Sequence, residues 1–208
     1  EAVPSGAWEV GIASVRGRAK FDNSVAFVGS DFVVYRLNGY SPLRISEHAI
    51  EGRLRGATDK DFECQSWQEA GHPMLSVGNA EFTFVYDGAT QLWHERESHG
   101  RPNWLPCFVV PAYNKLWVGN RTSGELGMLS ADVVSDWGGV MRSAGTCPPI
   151  SMEGKTVFHD RLELAFETGI GTYTSEPMVM LRWSDDLGRT WSNEHWRSLG
   201  KLGRYNTR

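Results

Sequence analysis

Several features that would narrow the function of this chain are scarce. The 208 residues include only three cysteines, spaced about forty residues apart with no C-x-x-C pair, so neither a disulfide framework nor a zinc site is predicted. No apolar run approaches the length of a membrane span, and no charged-then-apolar segment marks a signal peptide. The net charge of −4 gives no general electrostatic reason to bind nucleic acid or an anionic membrane.

Apolar patterns with a helical period are also nearly absent. Short apolar runs rich in β-branched and aromatic residues alternate instead with Gly or Asn-Gly turns, so we predict an all-β chain. The one exception is a short helix predicted around residues 44–55. In that helix Ser46 would cap the N-terminus, and Ile45, Ala49, Ile50 and Leu54 would share a face.

Three segments are variants of one β-unit. Each has an apolar run, a glycine and a second apolar run, over residues 25–39, 75–88 and 115–129. The units recur about every 40 to 50 residues, which at roughly four strands per unit is the period of a β-propeller blade. We therefore predict β-propeller blades over residues 1–145, forming an incomplete propeller.

The composition changes at Cys147, which two prolines follow. Beyond this point the predicted strands, at residues 156–158, 162–166 and 178–183, do not repeat the earlier unit. A second β layer fits this pattern better than another blade. We predict a smaller, β-sandwich-like C-terminal domain over residues 146–208.

The C-terminal end of the chain is basic. Residues 182–208 contain six Lys or Arg against three Asp or Glu. The candidate partner-binding residues there are Arg189, Arg197, Lys201 and Arg204. The alternative interpretation of these basic residues is an ordinary solvated surface without a partner. The chain starts with Glu1 rather than Met and shows no stop signal at Arg208, so we expect part of a longer chain and a truncated second domain.

Residues 184–191 fit the pattern S-x-D-x-G-x-T-W, the Asp-box turn of β-hairpins. Its specified positions are Ser184, Asp186, Gly188, Thr190 and Trp191. Ser184 and Asp186 would accept hydrogen bonds from loop N–H groups, and Gly188 would take a positive φ. Trp191 would pack beneath the hairpin, so Trp191→Ala should cost about 3 to 5 kcal/mol if the ring is buried. We expect a structural role for this motif.

No set of residues makes a convincing catalytic or metal-binding site. His94 and His99 are five apart, where a helical zinc motif needs a spacing of four to place both on one face. His159 and Asp160 are neighbours, and neighbouring strand residues point to opposite faces. We therefore predict no catalytic residue, no cofactor, no metal ligand and no enzyme activity.

The Asp-box also occurs in sialidases, so a sialidase-like glycoside hydrolase or a carbohydrate-binding β-propeller is the alternative function. A sialidase needs an arginine triad for the substrate carboxylate, a tyrosine–glutamate pair and an aspartic acid at the propeller centre. This chain has a single good Asp-box, and its nearest match to an Arg-Ile-Pro segment is Arg44-Ile45-Ser46. The spacing of its arginines and tyrosines assigns no such roles.

Five motifs together resemble those of one known family. They lie at residues 84–96, 112–119, 158–164, 167–171 and 181–201. In order and content they are similar to the packaged-DNA stabilisation proteins of short-tailed bacteriophages, also called tail accessory or tail hub proteins. The similarity spans about residues 9–208 and is strongest from residue 158 onward. Each motif alone is weak, but five in the right order are difficult to reach by chance.

The resemblance implies a structural virion protein of the phage tail or neck, made in the host cytoplasm. Such a protein closes the portal channel after DNA packaging and joins the portal-adaptor ring to the tail needle and tailspike proteins. It implies a homo-oligomer of six copies, DNA contact that is at most indirect, and no membrane contact. The family has no defined catalytic residues, so none is carried over.

Overall fold

The computed structural model describes residues 8–133, 135–150, 155, 157–169, 171–174 and 176–205. The chain divides into two compact units, Glu1–Ser143 and Ala144–Arg208. Within the described residues, strands make up nearly all of the regular secondary structure, and there is one helix. The all-β prediction is therefore confirmed.

The first unit begins with a four-stranded antiparallel sheet, which we call the first blade. Its strands are β1 (Arg18–Phe21), β2 (Ser24–Val28), β3 (Val34–Asn38) and β4 (Ser41–Arg44), in the order β1-β2-β3-β4. The predicted turn at Asn38 and Gly39 joins β3 to β4, and Gly39 has a φ of +62°. A glycine suits this position because a positive φ carries no Cβ penalty there.

The second blade repeats this meander. Its strands are β5 (Glu63–Glu69), β6 (His72–Gly78), β7 (Thr83–Asp87) and β8 (Leu92–Glu95), in the order β5-β6-β7-β8. Every residue of β7 is buried, because both faces of this sheet are covered by neighbouring sheets. That double burial explains why β7 reads in the sequence as a continuous apolar run rather than an alternating one.

The third blade has three strands, β9 (Pro106–Ala112), β10 (Lys115–Asn120) and β11 (Leu126–Leu129), in the order β11-β10-β9. A short hairpin follows, with strands β12 (Ser135–Asp136) and β13 (Gly139–Val140). Trp137 lies in the turn of this hairpin. Its ring packs so closely on Gly127 of β11 that a Cβ at residue 127 would lie about 3 Å from the ring. A glycine at residue 127 therefore lets the hairpin pack closely on the sheet.

The three sheets are arranged as propeller blades. The first strands of adjacent sheets contact each other, β1 against β5 and β5 against β9, so these strands line a common axis. The second strands begin at Ser24, His72 and Lys115, which is the predicted period. Two apolar clusters join the sheets, one between the first and second blades and one between the second and third.

The helix α1 (His48–Gly56) starts later than predicted. Arg44 belongs to β4, where it pairs with Tyr35. Ser46 does not cap the helix; its hydroxyl accepts a hydrogen bond from Val34 N at 3.0 Å and donates one to Glu51 Oε1 at 2.8 Å. Of the predicted apolar face, Ile50 and Leu54 are buried in the cluster between the first two blades, whereas Ala49 is exposed.

Among the described residues of the second unit, the strands are β14 (Met178–Leu181) and β15 (His195–Ser198), which pair antiparallel. The strand prediction at residues 162–166 is wrong. These residues lie in no strand, and Leu162, Leu164 and Phe166 are exposed, because no described strand runs beside them to pair with. The prediction at residues 156–158 starts at Thr156, which lies outside the described residues, and Val157 and Phe158 are in no strand.

Candidate functional site

A buried carboxylate links the three blades at one end of their shared axis. Glu63 begins β5, and its Oε1 lies 2.5 Å from a guanidinium nitrogen of Arg16, which precedes β1. Arg121, which follows β10, approaches the same carboxylate from the third blade, with Nη2 2.9 Å from Oε2 and Nη1 3.1 Å from Oε1. One side chain of the central blade therefore pairs with an arginine from each neighbour.

The burial of Glu63 makes its two ion pairs important for stability. Glu63 is 8% exposed, and a charge at that depth must be paired, because removing it from water without a partner is costly. Arg16 is more open and has a second partner, Asp61 Oδ2 at 2.6 Å. The hydrogen bond to Asp61, helped by Glu63, raises the pKa of the Arg16 guanidinium above its ordinary value. We call Arg16, Glu63 and Arg121 the axial ion network.

A second cationic contact joins the second and third blades. The Arg96 guanidinium carbon lies 5.5 Å from the ring centroid of Trp67 and 5.2 Å from that of Trp104. The two indole rings are 5.7 Å apart, and Arg96 Nη2 also binds Glu69 at 3.0 Å. This arrangement combines aromatic packing with cation–π attraction in a largely dry setting.

The other end of the axis carries an open cleft of about 970 Å³. Its walls include the ends of β1 and β5 and the loop at Tyr113, a residue that is 91% exposed. Of the described residues that line the cleft, Asp22 is the one carboxylate, and it is paired with Arg36 at 2.6 Å. The described lining of the cleft therefore offers one carboxylate, and that carboxylate is already paired with an arginine.

The Asp-box residues form a tight turn in the second unit. Ser184 Oγ accepts from Gly188 N at 2.8 Å, and Asp186 Oδ1 accepts from Thr190 N at 2.8 Å. Thr190 Oγ1 also donates to Asp186 Oδ2 at 2.6 Å. Leu187 and Gly188 both have positive φ, at 63° and 87°. Two short polar side chains thus satisfy the backbone of a loop that two left-handed residues bend sharply.

The hydrogen bonds that Asp186 accepts, of which the one from Thr190 Oγ1 has the largest effect, lower the pKa of its carboxyl from 3.8 to about 2. A lowered folded-state pKa means that the ionised carboxylate stabilises the hairpin at neutral pH. That contribution is complete above the unfolded-state value and is lost as the pH falls from about 4 to about 2.

We therefore expect Asp186→Asn to reduce the loss of hairpin stability that the wild-type chain shows at acid pH. The amide cannot ionise, so its contacts do not change between pH 5 and pH 2, whereas the wild-type hairpin should loosen below about pH 4. The amide resonances of Gly188 and Thr190 would follow this across the titration. Asp185→Asn is the control, because the exposed Asp185 side chain takes no part in the loop hydrogen bonds described above. Parallel acid limbs in all three proteins would contradict the assignment.

Trp191 does not pack as predicted. Trp191 is 40% exposed, so the prediction of a buried tryptophan beneath the hairpin is wrong, and the cost of about 3 to 5 kcal/mol for Trp191→Ala does not apply. Instead, the Arg182 guanidinium carbon lies 4.9 Å from the ring centroid. Because a solvated cation rather than an apolar layer covers the ring, its removal should cost less.

The predicted basic residues lie on and near the same hairpin. Arg189 is in the Asp-box turn, Arg197 is on β15, and Lys201 and Arg204 follow it; all four are exposed. Arg204 is partly neutralised by Glu176, at 3.3 Å. Exposed aromatic rings accompany them, at Trp183 (48%) and Trp196 (49%). The hairpin therefore presents both cations and aromatic surface to solvent.

The cysteines and the possible metal ligands were also considered as candidate sites. Burial raises the pKa of the Cys64 thiol to about 12, so it stays protonated at neutral pH and is a poor nucleophile. Cys107 is half-buried and Cys147 is exposed. Within the described residues no group of three or more His, Cys, Asp and Glu could hold a metal ion, and no helix is long and apolar enough to cross a membrane.

The comparisons with known proteins decide the family. A model described as the β-propeller of bacteriophage P22 Gp10 matches residues 1–134. The chain belongs to this family. A second model, described as the β-sandwich of bacteriophage P22 Gp10, matches residues 146–208. A search of curated proteins found no match.

Membership in the Gp10 family confirms the resemblance noted in the sequence and the predicted fold class, β-propeller blades followed by a β-sandwich. The Gp10 family is a family of structural phage tail proteins. The axial ion network lies within the β-propeller match, and the Asp-box hairpin lies within the β-sandwich match. The sequence analysis did not identify Arg16 or Arg121, because no short sequence pattern indicates an ion pair between two blades.

Proposed function

We propose that this chain is a tail or neck component of a phage virion that acts by binding. It would close the portal channel after DNA packaging and join the portal-adaptor ring to the tail needle and tailspike proteins, as a homo-oligomer of six copies. The observation that carries the proposal is that two Gp10 models, in this order, match residues 1–134 and 146–208.

The contacts of the first unit support a mechanical role. A plug under pressure needs blades that do not slide, and both the axial ion network and the Arg96 contact tie one sheet to the next. Symmetry would then multiply many weak contacts between copies and partners.

The charges of the first unit support a role without catalysis. Among its described residues the buried carboxylates are engaged: Glu63 by Arg16 and Arg121, Glu51 by Arg44 at 2.7 Å, and Asp87 by His72 at 2.8 Å. Burial opposes ionisation of Glu51, but hydrogen bonds from Ser46 and Arg44 outweigh it and lower the pKa of that carboxyl. A carboxylate whose pKa is lowered by such bonds acts as a structural partner rather than as a proton donor.

The surface that we propose for partner binding is the Asp-box hairpin of the second unit, with the exposed cations on and near it. Register places Arg197 opposite Val179 and Trp196 opposite Met180, so the cation and the tryptophan lie on different faces of the two-stranded ribbon. Exposed aromatic rings are frequent anchors at interfaces, and exposed cations steer acidic partners. DNA need not be touched for either contact.

We expect the double change Arg197→Glu and Lys201→Glu to weaken binding to purified portal–adaptor complexes by about tenfold at low salt, with a shallower salt dependence. Native mass spectrometry across a salt series measures both. Arg55→Glu with Arg101→Glu is the matched control, with the same charge change at exposed residues of the first unit. Equal weakening by both pairs would mean that net charge, not the hairpin, is responsible.

The direct test of the function is the virion. Particles assembled without this protein should package DNA and then lose it, and adding the purified protein should restore retention. A protein that is absent from virions, stays strictly monomeric, ignores portal–adaptor complexes and cleaves a fluorogenic sialoside would replace this proposal with the glycosidase.

A further inference from the structure

His94 lies at the contact between the second and third blades. Register places it on β8 opposite Val85, a residue buried in the cluster that joins these two blades. Its neighbours along the strand point to the other face of the sheet. Trp93 packs against the cluster between the first two blades, and Glu95 pairs with Arg53 of α1 at 3.7 Å. The imidazole is therefore on the side of the second blade that meets the third.

His94 is hydrogen-bonded to the arginine that links these two blades. Arg96 Nε lies 3.1 Å from His94 Nε2. A guanidinium group can only donate hydrogen bonds, so His94 Nε2 is the acceptor and the neutral ring carries its proton on Nδ1. A protonated imidazole has no lone pair to offer. The bond therefore exists only while His94 is neutral.

Arg96 has little freedom to turn away from the imidazole. Its side chain is 20% exposed, and its Nη2 binds Glu69 at 3.0 Å. Its guanidinium also lies over the rings of Trp67 and Trp104. Protonation of His94 would replace the hydrogen bond by two opposed N–H groups and two like charges. Arg96 could then move aside only by leaving its other partners.

The charged groups around His94 act in opposite directions. Partial burial of the ring, and next the charge of Arg96, lower the pKa of His94. Glu69 on β5 and Asp87 on β7 raise it by less. Both carboxylates have other partners, since Glu69 binds Arg96 and Asp87 pairs with His72 at 2.8 Å. The net effect favours the neutral imidazole, which is the form that the hydrogen bond requires.

We propose that His94 makes the contact between the second and third blades sensitive to pH. Near neutral pH the imidazole accepts from Arg96 and holds the guanidinium over the two indole rings. His94 is exposed on the outermost strand of its sheet, so a proton can reach it as the pH falls. The protonated ring then loses its bond to Arg96 and repels it, and the contact between the blades loosens.

This device lies wholly within the first unit. Both faces of the second blade are covered by sheets of the described residues. The surroundings of His94 therefore do not depend on what lies against the outer faces of the first and third blades. The device is also independent of the proposed function, because it concerns contacts inside one chain.

The direction of the pH dependence follows from linkage. A histidine whose pKa is lower in the folded chain binds its proton more tightly in the unfolded chain. Its contribution to stability is complete above the unfolded-state pKa of about 6.5 and is lost as the pH falls toward the folded-state value. Stability of the first unit should therefore decrease on the acid side of neutrality.

Nuclear magnetic resonance tests the device in the wild-type chain. Between about pH 8 and pH 5, the ring resonances of His94 should titrate with a midpoint below the ordinary histidine value of about 6.5. The indole N–H resonances of Trp67 and Trp104 should shift with the same midpoint, because Arg96 contacts both rings. A histidine without influence on Arg96 would not give this coincidence.

His94→Gln should abolish that step in the indole resonances, because glutamine keeps an acceptor oxygen for Arg96 but does not titrate. His99→Gln is the matched control, since His99 is an exposed histidine in the loop that follows β8. Arg96→Gln should return the pKa of His94 toward its ordinary value, because the coupling between two groups is reciprocal.

Urea denaturation at neutral pH and at about pH 5.5 measures the effect on stability. The urea midpoint should fall further in the wild-type chain than in His94→Gln, and His99→Gln should behave as the wild type. Other histidines titrate in the same range, so the difference between the variants, rather than the wild-type change alone, isolates His94.

Indole resonances that titrate equally in His94→Gln and in the wild type would overturn the proposal. So would a His94 midpoint at or above the ordinary value, or urea midpoints that fall equally in the wild type and in His94→Gln. The coinciding midpoints are read from the wild-type chain, so they decide the question even if a variant fails to fold.

Discussion

Replacing Glu63 with alanine should lower the free energy of unfolding of the first unit by about 2 to 4 kcal/mol. The change leaves two guanidinium groups facing an empty, largely dry position, and Arg121, with side-chain exposure of 27%, cannot turn fully to water. Arg16 is 58% exposed and recovers part of its solvation, which keeps the expected cost below the upper end for a fully buried pair. Urea denaturation measures the change without the ionic screening of guanidinium salts.

Two variants make this result specific. Asp61→Ala removes the exposed partner of Arg16 and should cost less than about 1 kcal/mol, as surface ion pairs do. Glu63→Gln keeps the size of the side chain and an acceptor oxygen, so it should fall between the two. If Glu63→Ala is no more harmful than Asp61→Ala, the axial ion network does not stabilise the blades.

Trp104→Ala should be more damaging than Glu63→Ala, with a loss of about 3 to 5 kcal/mol in the free energy of unfolding. Trp104 is 9% exposed and packs against Trp67 at a centroid distance of 5.7 Å, beneath the Arg96 guanidinium. Its removal opens a cavity between the second and third blades and also takes one ring away from a cation.

The same measurement on Trp104→Phe separates size from ring identity. A phenyl ring refills part of the space and still faces Arg96, so the expected loss is smaller by at least about 1 kcal/mol. The backbone bond from Trp104 N to Thr83 Oγ1, at 3.1 Å, remains in both variants and is not the cause of the difference. Equal losses for alanine and phenylalanine would show that the position does not depend on filled volume.

Sequence periodicity was sufficient to predict the blades, because their strands follow rules that act over a few residues. The runs at residues 75–78 and 82–86 became β6 and β7 with small shifts at their ends. The predicted start of α1 was wrong because the contact that decides it joins residues that are distant in the sequence. Ser46 is a good cap by type, but its hydroxyl is engaged by Val34 and Glu51, and no short-range pattern announces that competition.

The candidate site was predictable only where it is a local motif. The Asp-box acceptors Ser184 and Asp186 bind donors within four positions, so the pattern itself contains their geometry. Burial of Trp191 was not predictable in this way, because it depends on which other segment lies against the hairpin. The axial ion network is the extreme case, since charged residues are common and only the assembled blades select Arg16 and Arg121 as partners for Glu63.

During synthesis on the ribosome, the axial ion network can close only after Arg121 has been made. Arg121 is 58 positions after Glu63, so at 5 to 20 residues per second it is made about 3 to 12 s later. Until the third blade is complete, the apolar surface at Trp67 and Val85 has no sheet of that blade to pack against. This delay leaves apolar surface open to aggregation and to chaperones, and slower translation between Glu63 and Arg121 would lengthen it.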